Sequence, residues 1–224
     1  NPSNNFCTWN PSTFAGSKWT LANGNTSTNG IPSTNNWRSL ISTLAVSSGK
    51  YYFEVKPTSI ESTDPNNFVI GIADIDQVSQ VEDNGTYSNA TRGYGYIGSN
   101  GYKENSGSAV AWGATYTAND IIGCAFDLDN NKIYWSKNGT WQDSGDPTSG
   151  STGTGSAYDL AAGYVYTPAF SSYYSNEKIS ANFGNGYFGT TAVASAGTNA
   201  SNNGIFEYDV PTGYTALSTK GLNL

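Results

Sequence analysis

Apolar and polar residues alternate with a period of two along several short runs of this chain, and the runs are bounded by Gly, Asn, Asp or Pro. Successive side chains of an extended strand point to opposite faces, so the pattern demands sheets with at least one face turned to a core. In the run Lys50–Lys56, Tyr51, Phe53 and Val55 share one face while Tyr52, Glu54 and Lys56 share the other, which predicts a half-buried strand. Phe68-Val69-Ile70-Gly71-Ile72 is apolar on both faces, as a central strand must be, and its glycine allows close backbone approach. Ile121–Leu128 and Lys132–Ser136 flank Asn130-Asn131, and Asn tolerates the left-handed conformation that a two-residue turn requires, so a hairpin is predicted. Asn138-Gly139 predicts a second tight turn into Thr140-Trp141, and Pro168-Ala169-Phe170 and Lys178–Phe183 add further strands. No apolar pattern of period 3.6 lasts three turns, so the expected fold class is all-β, an antiparallel two-sheet β sandwich.

Composition bounds the remaining possibilities. At 224 residues, 37% hydrophobic and 14% aromatic, the chain can build one large sandwich around flat side chains. Ser144–Ser156 and Thr190–Gly204 are small and polar, unable to fold alone, and are predicted to be long surface loops. With 10 Lys and Arg against 17 Asp and Glu, the formal net charge is −7, which leaves no positive field for nucleic acid. No apolar run approaches the roughly 20 residues that membrane insertion by a helix needs. Met is absent even at position 1, so the segment is expected to come from a longer polypeptide with flanking modules. Cys124 sits in the apolar run Ile121–Phe126 and reads as a buried thiol rather than a partner for Cys7.

Several chemistries are excluded on residue type. Without any His, the commonest general base, the Ser-His and Cys-His nucleophile pairs and imidazole metal ligands are all missing. Glycosidases need only carboxylates, but Phe206-Glu207-Tyr208-Asp209 offers two acids where three alternating ones are expected. Asp127, Asp129 and Asn131 alternate like the start of a calcium loop, yet Lys132 stands where its glycine belongs and the closing Glu is missing. Asp74 and Asp76 read as a solvated loop. The chain is therefore expected to be no enzyme, with no metal and no cofactor.

Seven segments in order resemble the SPRY (B30.2-like) domain: Gly49–Val55, Ile70–Ala73, Gly93–Tyr96, Asp120–Asp129, Ile133–Gly139, Tyr166–Phe170 and Asn182–Gly184. They span about residues 48–187, and Pro211–Tyr214 is similar to the family's closing segment, so a closing strand is expected at about 205–217 within a single domain of residues 1–224. The resemblance implies a concanavalin-like jelly roll that is non-catalytic and presents loops to proteins or peptides. The family's peptide-contacting aromatic falls on Tyr94, and the pair after Pro-Ala-Phe-Ser-Ser falls on Tyr173 and Tyr174. Tyr96, and Trp37 and Arg38 before the first core strand, are expected to line the same surface; these residue types suit a recognition patch. The alternative is that these tyrosines merely pack the sandwich edge.

The end segments Asn4–Pro11 and Tyr214–Lys220 resemble segments flanking SPRY modules in large bacteriophage structural proteins. This implies a virion component, a tail fibre, head fibre or capsid decoration, whose partners are other virion proteins or a host cell-surface protein or glycan. Two other readings stay open at this point. One is a lectin using Tyr96, Tyr102, Trp112 and Trp141; the other is a passive spacer.

Overall fold

The computed structural model describes residues 4–12, 19–30, 35–61, 68–78 and 85–223. Among them, ten strands of four residues or more carry the fold: β1 (Arg38–Ile41), β2 (Lys50–Ser59), β3 (Phe68–Asp74), β4 (Gly93–Ile97), β5 (Tyr102–Asn105), β6 (Ser108–Ala111), β7 (Ile122–Asp127), β8 (Lys132–Lys137), β9 (Tyr166–Ser172) and β10 (Lys178–Asn182). One sheet has the order β10-β2-β7-β8 and the other β1-β9-β3-β4-β5-β6, with all these ladders antiparallel. The sandwich expected from the alternation is therefore present. One rung departs from it: Thr215–Ala216 pairs in parallel with Tyr51–Tyr52, on the stretch of β2 that β10 does not reach.

Between the sheets, Phe53, Val55, Cys124, Phe126 and Trp135 from one layer meet Leu40, Phe68, Ile70, Ile72 and Phe170 from the other, all at 0% exposure. Each such side chain contributes about 1.5–3 kcal/mol by leaving water. Cys7 and Cys124 are both buried free thiols. The Asn138-Gly139 turn joins Lys137 to Thr140 with φ of 48° and 78°, the two-residue geometry predicted. Asn130-Asn131 differs, since Asp127 pairs with Lys132 across a four-residue connection. The Asp127 carboxylate explains the longer loop, accepting the N–H groups of Asp129 and Asn130 at 3.0 and 2.9 Å.

Two expectations are corrected. The β2 strand is buried on both faces: Tyr52 and Glu54, assigned to the solvent side, are each 0% exposed. The C-terminal segment returns over them, so Tyr52, Ala125 and Tyr134 pack with Phe206, Val210, Tyr214 and Ala216 in a second core. The Ser144–Ser156 and Thr190–Gly204 segments are likewise tied down rather than simply solvated. Pro147 is buried and its carbonyl accepts the Tyr214 hydroxyl at 3.0 Å. Asn203 is buried too, donating to Thr215 Oγ1 at 2.8 Å and the Ala216 carbonyl at 3.2 Å. Low-complexity stretches that cannot fold alone are here ordered by docking on a completed sheet.

Candidate functional site

The β1–β9 ladder places Arg38 opposite Ser172, so the residue before β1 and the residues after β9 must meet at one end of the sandwich. There the Trp37 and Tyr173 rings lie 5.7 Å apart edge to face, and Tyr173 and Tyr174 lie 5.0 Å apart. The Asn36 N–H donates to the Tyr173 carbonyl at 2.9 Å, and Arg38 Nη1 donates to the Trp37 carbonyl at 2.7 Å. All four residues are half-buried. Trp37 also packs against the buried cluster that Val69, Ala73, Tyr87, Ile97 and Ala169 form.

A buried carboxylate fixes this turn. Glu177 Oε2 accepts the Ser172 hydroxyl at 2.6 Å and the N–H groups of Tyr173 and Tyr174 at 3.2 Å each, and its Oε1 accepts the Glu61 N–H at 3.3 Å. Burial pushes its pKa up to about 7, against the opposing pull of those donors. One side chain thus ties the aromatic turn after β9 to the end of β2. Glu61 in turn borders a cleft of about 220 Å³, with Ile60, Ser99, Tyr116 and Lys137 on its other walls. Lys137 Nζ lies 3.1 Å from Asp120 Oδ2, so the cleft carries both signs of charge.

Trp37, Arg38, Tyr173 and Tyr174 are therefore brought together, whereas Tyr94 and Tyr96 are not. Both lie in β4 with side chains 4% and 0% exposed, which corrects the expectation that they sit on the loop surface. The Tyr94 ring packs on Tyr158 and Tyr166, and its hydroxyl accepts the Ala161 N–H at 3.0 Å. Tyr96 packs among Trp112, Tyr116 and Trp135 and donates to the Ala114 carbonyl. A Gly-Tyr-Gly-Tyr alternation puts both rings on the inner face, and its two glycines on the outer one.

The four residues of the lectin reading do not share a surface either. Tyr96 and Trp112 belong to the central core, Tyr102 to the cluster outside the second sheet, and Trp141 packs on Tyr52 outside the first. Glu207 and Asp209 accept the N–H groups of Ala194 and Thr198 at 2.6 Å each, which makes them loop ties. Asp127 accepts four donors, including Lys50 Nζ at 3.0 Å, so its oxygens are occupied. Sequence reasoning missed Glu177 and Glu61, because an isolated acid in a polar turn looks solvated until the fold buries it.

The described residues thus form a two-sheet sandwich with a cluster of half-buried aromatics at one end. The chain belongs to the SPRY domain family, whose model matches residues 50–186. It is 35% identical over 95 residues to "Ran-binding proteins 9/10 homolog" of Drosophila melanogaster, covering 42% of this chain and 9% of that protein. Against "Ran-binding protein 9" of Homo sapiens the figures are 36% over 93 residues, 41% of this chain and 12% of that one. The matched part is thus a small fraction of either relative. The SPRY domain of human HERC1 superposes with a TM-score of 0.55 over 77% of this chain and 96% of its own, at 16% identity, which shows a shared fold. SPRY domains are protein-interaction modules, generally without catalytic activity.

Proposed function

We propose that this domain recognises a short segment of a partner protein through the end bearing Trp37, Arg38, Tyr173 and Tyr174. The observation that carries the reading is the anchoring of this patch by Glu177. Contact groups held rigid before binding lose little conformational entropy on association, and Tyr, Trp and Arg are the residues that most often dominate binding energy. The adjoining cleft, about 220 Å³, has room for one side chain of the bound segment, and Lys137 and Glu61 are among its walls. Peptides selected from a random library on the wild-type domain are expected to lose at least about tenfold in affinity on Trp37→Ala or Tyr173→Ala, a hot-spot loss of at least about 1.4 kcal/mol. Equal affinity for both variants, with their folding checked by thermal midpoint, would reject the patch as the binding face.

A virion setting, as part of a tail fibre, head fibre or capsid decoration, belongs to the same proposal but has a narrower base. It is supported by the likeness of Asn4–Pro11 and Tyr214–Lys220 to segments of phage structural proteins. These two stretches lie side by side in the fold, with Phe6 bridging Ser218 and the Cys7 N–H donating to the Leu217 carbonyl at 2.9 Å. The relatives named above are animal proteins, and their names assign no virion role. Labelling of intact particles by an antibody raised against the domain would support this setting, and its failure on particles opened and unopened alike would remove it.

A further inference from the structure

The opposite end of the sandwich holds a second opening, independent of the recognition patch. It lies where β2 begins, and β2 runs ten residues, so roughly 30 Å separates it from the patch end of that strand. Here a cleft of about 290 Å³ opens between the family core and the C-terminal segment, walled by Gly49, Lys50, Tyr51, Asp129, Ser201 and Thr215 among others.

Tyr51 is the informative residue. Tyr52, Tyr96, Tyr116, Tyr166 and Tyr214 all donate their hydroxyls to a neighbour. Tyr51 is only 5% exposed, yet among the described residues its hydroxyl has no hydrogen-bond partner, and the oxygen is not sealed off. Gly49 keeps it uncovered: its φ is +90°, and a Cβ there would lie 3.0 Å from the Tyr51 hydroxyl. The Asp129 carboxylate stands close by, accepting the Gly49 N–H through Oδ1 at 2.7 Å. Burial first, and the Asp129 charge second, raise the Tyr51 pKa, so the phenol stays a donor. Lys50 adds an ammonium group 3.0 Å from Asp127 Oδ2.

These groups select a ligand class. A cation entering the cleft meets Lys50, and an anion meets Asp129. Hydroxyl groups both donate and accept, so a neutral polyol can satisfy the phenol, the carboxylate and the ammonium together. The volume lies at the lower limit of small-molecule pockets, about 300–1,000 Å³, which suits one sugar ring rather than a longer ligand. We propose that this cleft binds a single neutral pyranose unit of a glycan.

The test is a titration followed by nitrogen–proton correlation spectra, using the methyl glycosides of glucose, galactose, mannose and N-acetylglucosamine up to about 50 mM, a range that captures millimolar affinity. At least one glycoside is expected to shift the amides of Gly49, Lys50, Asp129, Gly213 and Thr215 while leaving those of Trp37, Arg38, Tyr173 and Tyr174 in place. Tyr51→Phe and Asp129→Asn should each weaken that binding tenfold or more, and Trp37→Ala should not. Absence of shifts at those five amides with all four glycosides overturns the proposal, as does wild-type affinity in both cleft variants. If either variant fails to fold, the shift map of the wild-type domain decides the matter. Because the peptide test reads the other end, failure there leaves this result unaffected.

Discussion

Gly71→Ala is expected to lower the thermal midpoint by roughly 6–12 °C, the consequence of about 3 kcal/mol of overpacking in a domain of this size. Gly71 lies in β3 opposite Gly95 in β4. A Cβ at 71 would sit 2.0 Å from the Tyr94 carbonyl oxygen, 2.9 Å from the Tyr87 hydroxyl and 3.0 Å from the Trp135 ring. The first of these is backbone in the neighbouring strand, so relief requires the ladder itself to open. Gly95→Ala should cost less, because its nearest obstacle is Val69 Cγ1 at 2.3 Å, the end of a side chain that can turn. Differential scanning calorimetry of the two variants checks the ranking; equal midpoints for Gly71→Ala and wild type would show that the two sheets are packed otherwise.

Stability should also fall as pH rises from about 4.5 to about 7. Burial raises the pKa of Glu54 and of Glu177 to about 7 from an ordinary 4.5. Across that window the folded chain holds protons that the unfolded chain has released, so protonation favours the folded state. The stabilisation from these two groups is fully present below the unfolded value, declines through the window and is lost above the folded value. Each group contributes on the order of 3 kcal/mol to the decline, with less from the partly shielded Glu177.

Glu54 has a second consequence. Its Oε1 and Oε2 accept the N–H groups of Tyr208 and Glu207 at 2.9 Å each, along with Tyr52 Oη at 3.1 Å and Asn182 Nδ2 at 3.2 Å. Glu54→Ala would leave these donors unpaired, at a cost of roughly 3 kcal/mol or more, and release the C-terminal cover. Urea midpoints measured from pH 4 to 8 are expected to fall for the wild type and to flatten partly in Glu54→Gln. A midpoint that rises through that window would show that these carboxylates are charged and satisfied in the folded state.

The parts of the fold legible in the sequence were those governed by local periodicity. Phe68–Ile72 reads as a central strand because both faces are apolar, and Asn138-Gly139 reads as a turn because both residues accept positive φ. What could not be read was the burial of polar residues by distant chain. Nothing near Glu54 announces that residues 207 and 208 will cover it, and Tyr52 looks solvent-facing until Phe206 packs on it at 5.0 Å. The same reason divides the candidate site. Tyr173 and Tyr174, placed by family likeness, and Trp37, placed before a strand, meet at one end of the fold, whereas Tyr94 and Tyr96, put on the surface by the same likeness, turn inward with the pleat of β4. Glu177 escaped notice because its role exists only once the turn between β9 and β10 is brought against the end of β2.

Partner binding on the aromatic turn secured by Glu177 would shield the backbone of that turn from solvent. Hydrogen–deuterium exchange of the wild-type domain, with and without a selected peptide, tests it most directly. The peptide is expected to protect the backbone amides of residues 35–38 and 173–177 while those around Gly49 and Asp129 exchange as before. Protection confined to the edge strand Ser108–Ala111 or to the Gly49 end, with the Trp37 and Tyr173 amides unchanged, would contradict the account.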